Sequence, residues 1–202
     1  MTWQERILDD GTDRAHWLHA RETVIGASDA QMLARPESVD KYLAAKLSHG
    51  QFDGNEYTES GHRWEPMMLA WAGIEANKAL IHSPGESGFA ATPDGITVLP
   101  SGALQGAECK AKHGKVVTGP SLQEWRQLAW QFLCVPEFTC IEFMWVELID
   151  GEIRKGRGGQ PASITVTPSH PMIRKVTPQI RPIAVELLAR LRVAHSYERN
   201  VA

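Results

Sequence analysis

The chain has 202 residues, 43% of them apolar and 22% charged, which is ample for a hydrophobic core and ordinary for a globular protein. No apolar run reaches the ~18 residues a membrane span needs, and Met1 to Arg6 carries two charges and no apolar centre, so neither a membrane protein nor a signal peptide is expected and the location should be cytoplasmic. Three cysteines without a CxxC exclude a disulfide framework and a structural zinc site, and a net charge of −3 argues against a broadly basic nucleic-acid face.

The first half reads as helical. Thr12 is placed to cap a helix carrying Ala15, Trp17, Leu18 and Ala20. Ser28-Asp29-Ala30-Gln31 fits a capping box, with a short helix starting after Ser28. Ser38 to about Ser48 is a further helix with Tyr42, Leu43 and Leu47 on one face and Gly50 just past its end. Met67 to Trp71 belongs to another, with Glu65 and Pro66 at its first turn. The polar stretch Gln51 to Glu59 is read as a loop, free to touch DNA or merely to connect.

The middle changes character. Gly95 to Leu99 and Ala103 to about Lys110 read as strands joined by a three-residue hairpin loop, with Gly102 in the left-handed position. Ser121-Leu122-Gln123-Glu124 is a second capping box, opening a helix through Trp125, Leu128, Ala129, Phe132 and Leu133. Phe138 to Ile149, rich in β-branched and aromatic residues, reads as a long central strand. Gly151 to Gln160 is a basic, glycine-rich loop, and Ser163 to Thr167 an edge strand. Pro171 to about His195 is a C-terminal helix interrupted or kinked at Pro178 and Pro182. This order predicts an α/β or α+β domain, a mixed sheet flanked by helices, with one domain over residues 1–202.

The hairpin carries the chemistry. If Leu99 pairs with Ala103, the register sets Asp94 opposite Glu108 with Cβ atoms ~5 Å apart. Lys110 follows Glu108 by two residues and shares its face. Two carboxylates and a backbone carbonyl, that of Cys109, are oxygen ligands suited to Mg²⁺ or Mn²⁺. A neighbouring lysine can position or deprotonate water or stabilise a phosphoryl transition state. The competing readings are an exposed Glu-Lys ion pair and a simple Asp-Gly turn. Lys110, Lys112 and Lys115, and likewise Arg154, Lys155 and Arg157, are phosphate-binding clusters or solvated faces. His16, His19 and His62 lack metal-ligand spacing. Trp64, Trp71, Trp125, Trp130 and Trp145 fall in apolar patterns and read as core.

Pro93-Asp94 followed by Glu108-Cys109-Lys110 resembles the PD-(D/E)xK nuclease motif. With Arg21 to Ala30 (Arg-Glu-Thr-Val-Ile-Gly-Ala-Ser-Asp-Ala), Gly61 to Pro66 and Ala91 to Ile96, it resembles the phage lambda-exonuclease (YqaJ-type viral recombinase) family over about residues 12 to 135. The resemblance implies a restriction-endonuclease-like core in which Asp94 and Glu108, helped by the Cys109 carbonyl, ligate metal. Lys110 would be the catalytic lysine, Glu65 would help position lysine, water or a second metal, and Arg21 and Ser28 would hold a 5′-phosphate. Gln127 and Gln131, one helical turn apart, are the candidates for the family's active-site glutamines, with Trp130 a rival for one of those positions.

The implied activity is a Mg²⁺-dependent 5′-to-3′ double-stranded DNA exonuclease of phage-type recombination. It would leave 3′ single strands for an annealing recombinase, act as a ring-shaped homotrimer, and reside in the cytoplasm of a bacterial host. The alternatives are a restriction-type endonuclease or RecB-like nuclease on the same core, and a non-catalytic DNA-binding relic.

Overall fold

A computed structural model describes residues 2–48, 56–154 and 158–201, with side chains from residue 63 in the helix that begins at 56 and up to residue 197 in the last helix. The elements are β1 (Ile7–Asp9), α1 (Arg14–Glu22), α2 (Ala27–Ala30), α3 (Val39–Leu47), α4 (Glu56–Ala72), β2 (Leu80–His82), β3 (Ala90–Ala91), β4 (Gly95–Val98), β5 (Leu104–His113), α5 (Leu122–Cys134), β6 (Phe138–Ile149), β7 (Glu152–Ile153), β8 (Ala162–Val166) and α6 (Pro171–Val201).

The expected hairpin forms in the expected register. β4 and β5 are antiparallel with Gly95 opposite Ala107 and Val98 opposite Leu104. The Leu99 amide donates to the Ala103 carbonyl at 2.8 Å, and Gly102 takes φ of 80° at the turn. β5 then runs parallel to β6, with α5 as the crossover, and β8 closes the far side antiparallel to β6. Among the described residues these strands and β7 make a five-stranded mixed sheet, beside a smaller antiparallel sheet of β1, β2 and β3.

β6 is buried on both faces over Phe143–Val146, which is why that stretch is apolar at every position rather than alternating. Ile141, Phe143 and Trp145 face a core shared with Leu128, Ile180 and Leu187 from α5 and α6. Met144, Val146 and Leu148 join Met68, Leu69, Ala107 and Cys109 in a second core under α4. Gly95 is required by this packing: a Cβ there would stand 2.7 Å from Leu69 and 2.9 Å from the Glu75 carbonyl. The residue after Asp94 is therefore small because the end of α4 lies on it.

Several sequence expectations shift. Asp13, not Thr12, caps α1, its carboxylate accepting from Ala15 and His16. α2 starts at Ala27, with Gly26 at its cap and the Asp29 carboxylate accepting the Gly26 amide at 2.7 Å, so Ser28 lies inside the first turn. Leu47 is exposed, and the inner face of α3 is Val39, Tyr42, Leu43 and Lys46. α4 carries Pro66 in its interior rather than at its first turn. An interior proline costs about 3 kcal/mol; the contact of Met68 and Leu69 with the sheet carries the helix through it. α6 likewise runs unbroken through Pro178 and Pro182.

Trp71 is exposed, unlike the buried Trp125, Trp130 and Trp145. His16 and His19 lie at the surface against Asp9 and Glu22. The loop reading of 51–59 is overtaken from residue 56 by α4, and residues 51–55, Gly50, Lys155, Arg157 and the His62 side chain lie outside the described residues. The lysine cluster divides: Lys112 is buried and paired with Glu124, Lys110 pairs with Glu108, and Lys115, beyond β5, is exposed.

Candidate active site

The Asp94 amide donates to the Ala107 carbonyl at 3.1 Å, extending the β4–β5 ladder one step beyond Gly95. From there its carboxylate accepts the Cys109 amide at 2.6 Å. Asn77 fixes the segment from behind, its side chain donating to the Pro93 carbonyl at 2.8 Å and its amide to the Asp94 carbonyl at 2.9 Å. In a strand one residue's N–H and C=O project to the same edge. The Cys109 carbonyl therefore lies on the edge that Asp94 occupies.

Glu108 is 1% exposed and points to the α5 side of the sheet. One carboxylate oxygen takes the Lys110 ammonium and the other the Gln131 side-chain amide. Burial, then repulsion from Glu108 and Glu65, pushes the Asp94 carboxyl well above the usual carboxylate range against the pull of Lys110 and the Cys109 amide. Burial alone would depress Lys110, but Glu108 and Asp94 outweigh it and hold the ammonium above the usual lysine range. The Cys109 thiol is pushed up by burial and the same carboxylates, and faces the opposite core. It is unsuited to nucleophilic chemistry.

A cavity of about 480 Å³ opens on this centre, and Glu65, Asp94, Gln127, Arg21 and Ser28 all line it. Four helices and the segment before β4 thus bring five of the predicted residues to one cavity, while Glu108, Cys109, Lys110 and Gln131 lie behind Asp94 and outside its lining. The glutamine register is resolved. Trp130 is fully buried and donates its indole N–H to the Ala90 carbonyl at 3.0 Å. Gln131 reaches Glu108, and Gln127 accepts from the Gln31 side chain. The buried Gln131 Oε1 has no hydrogen-bond partner.

Arg21 donates to the Ser28 hydroxyl at 2.5 Å and lies over the Trp17 ring at 4.6 Å. Burial lowers its pKa, with Asp29 opposing and Arg14 adding to the shift. Asp29 itself is taken by Lys46 at 2.7 Å. Because Ser28 is not the cap of α2, an anion placed here would meet the Arg21 guanidinium and a hydroxyl rather than a helix N-terminus.

Trp17, Arg14, Lys78, Asn77 and Thr92 also line the cavity, and sequence reasoning gave them no role. Trp17 was findable, since it sits one helical turn before Arg21. Asn77 has no motif around it and leaves no such signal.

Among the described residues no group of three or more His, Cys, Asp or Glu side chains is set for a metal ion. The oxygen set is two carboxylates, Asp94 and Glu108, with the Cys109 carbonyl edge and Glu65 beside them. It suits a hard divalent cation, whose charge would relieve the repulsion that raises Asp94.

No family model matches the sequence, and no curated protein matches it. Solved structures do. The alkaline exonuclease LHK-Exo from Laribacter hongkongensis superposes with a TM-score of 0.61 at 18% identity, over 93% of this chain and 100% of that one. The same enzyme in complex with dAMP gives 0.62 at 19%, over the same shares of the two chains. A phage-related exonuclease from Haemophilus somnus 129PT gives 0.51 at 15%, over 95% of this chain and 93% of that one. The chain therefore shares the fold of these two exonucleases, a mixed sheet with flanking helices. Among the described residues no helix is long and apolar enough to cross a membrane.

Proposed function

We propose that this protein is a metal-dependent exodeoxyribonuclease that digests double-stranded DNA from the 5′ end. The observation that carries this reading is a cavity lined by Asp94, Glu65, Arg21 and Ser28, with Asp94 bonded to the strand on which Glu108 and Lys110 pair and Gln131 holds Glu108. An acidic end suits a cation and a basic wall suits a phosphate, so one cavity offers both halves of a phosphodiester site.

Asp94 and Glu108, with the Cys109 carbonyl, would hold Mg²⁺, or Mn²⁺ in its place. When bound, the ion supplies Lewis-acid polarisation of a phosphoryl oxygen and lowers the pKa of coordinated water. Lys110, kept protonated by its carboxylates, stabilises negative charge growing on the phosphoryl group. Gln131 fixes the Glu108 rotamer, and Glu65, which lines the cavity with Asp94, helps orient the attacking water. Gln127 completes the wall. Arg21 and Ser28 bind the terminal 5′-phosphate, which carries more charge than an internal diester, and so count nucleotides from the end.

A product with 3′ single strands would suit an annealing recombinase, and a ring of three copies would enclose the duplex. The annealing partner and the ring follow from the family resemblance, the ring easing the shortage of cations because basic residues need only line its channel, and residence in a bacterial cytoplasm follows likewise. The deciding experiment incubates linear duplexes with 5′-phosphate or 5′-hydroxyl ends, and closed circles, with and without Mg²⁺. Degradation of linear duplex alone, faster from phosphorylated ends and abolished by EDTA, is expected. Cleavage of circles indicates an endonuclease on the same core, and no cleavage a binding relic.

A further inference from the structure

A second cavity, of about 320 Å³, shares Ser28 with the first. The wall between them is the segment from Ser28 to Gln31, and two consecutive residues of α5 hold it. Gln127, on the active-site side, accepts from the Gln31 side chain, while Arg126, which lines the second cavity, donates to the Gln31 carbonyl at 2.7 Å.

The lining of this second cavity is cationic. Arg35, Lys41, Lys46 and Arg126 surround it, and its one acid, Asp29, is already neutralised by Lys46 at 2.7 Å. The side chains of Arg35 and Lys41 are exposed and make no hydrogen bond or ion pair among the described residues. The Tyr42 hydroxyl accepts the amides of Ala34 and Arg35, both at 3.3 Å, and so fixes the turn that presents Arg35. Gathering like charges around a concave surface is unfavourable unless an anion occupies it. In a chain of net charge −3 such a gathering stands out from the rest of the surface.

We propose that this cavity is a second phosphate-binding site, which holds the backbone of the nucleic acid next to the cleavage centre. The inference rests on the DNA reading above and adds a contact that reading does not need. Adjacency through Ser28 favours nucleic acid over an acidic peptide: the strand being digested ends at Ser28, and the complementary strand of the same duplex, which runs on past that end, supplies the phosphates for the second cavity. Arg35, Lys41 and Arg126 then serve affinity and register, not sequence choice, because phosphate contacts position without reading bases.

The test measures binding of a 5′-phosphorylated duplex in EDTA across a salt series, for wild type, for Arg35→Gln/Lys41→Gln, and for Arg174→Gln/Lys175→Gln, which removes two exposed cations from α6. Each lost phosphate contact removes ~0.9 from the slope of log affinity against log salt. The Arg35/Lys41 variant should bind more weakly with a slope about 2 units shallower, at unchanged Tm, and the α6 variant should match wild type. An unchanged slope in the first variant, or an equal loss in the second, overturns the second site while leaving the nuclease reading intact. Wild type that takes up an acidic peptide but no duplex also overturns it. Wild type that neither binds nor digests duplex in Mg²⁺ overturns both.

Discussion

The Cys109 amide donates to the Asp94 carboxylate at 2.6 Å, tying the loop before β4 to the strand that carries Glu108 and Lys110. The bond fixes Asp94 where its charge is least welcome, half-buried and under repulsion from Glu108 and Glu65. Because the Asp94 pKa is raised on folding, the group favours the fold when protonated, and this contribution is lost as pH rises through the folded pKa. Asp94→Asn keeps an acceptor for the Cys109 amide and removes the charge. In EDTA at neutral pH the variant should be more stable than wild type, by roughly 2–4 °C in Tm for each 1 kcal/mol relieved, while nuclease activity disappears. A lower Tm would show that the carboxylate is not under repulsion.

The same raised pKa makes metal binding a proton exchange. A cation can settle on Asp94 only after its proton leaves, so the apparent Mg²⁺ affinity should fall as pH drops below the folded pKa, by about tenfold per pH unit for one proton. Calorimetry in buffers of different ionisation enthalpy reads the released proton directly. Proton release equal in wild type and Asp94→Asn would assign the proton to another group.

Lys110→Ala separates charge stabilisation from ligation. Glu108 keeps its bond from Gln131, so the metal ligands stay in place. The expected loss is on the order of 10²–10⁴-fold in kcat, with Mg²⁺ still bound. A Mg²⁺ titration showing no binding to this variant contradicts the division of roles.

Much of this centre was legible in the sequence because a hairpin with a short glycine turn fixes its register. The Leu99–Ala103 pairing alone sets Asp94 against Glu108, and strand periodicity adds Lys110. Capping at Ser121 set the phase of α5, yet sequence could not choose between Trp130 and Gln131. That choice depends on which residue the Phe89–Trp130 contact draws into the core. α2 and α4 were misplaced at their starts for a related reason. Asp29 caps backwards onto Gly26, and packing on the sheet carries α4 through Pro66, so tertiary contacts outweighed local signals. The wall of cations around Arg35 and Lys41 comes from separate elements and has no motif to announce it.

Arg21→Ala should narrow the preference for phosphorylated ends. The competing view is a salt bridge from Arg21 to Glu22 or Asp29. Asp29 does act on Arg21 electrostatically, but its carboxylate pairs with Lys46 and that of Glu22 with His19, while the Arg21 guanidinium bonds Ser28 over the Trp17 ring. A charge-assisted bond is worth about 1.5–3 kcal/mol, so the ratio of kcat/KM for 5′-phosphate over 5′-hydroxyl ends should shrink roughly 10- to 100-fold. Arg21→Lys keeps the charge but loses the paired donors and the flat stacking surface, and should recover only part of the ratio. Rates on hydroxyl ends should change little in either variant. If both ends slow equally, Arg21 supports the fold or the chemistry in general and the phosphate pocket lies elsewhere.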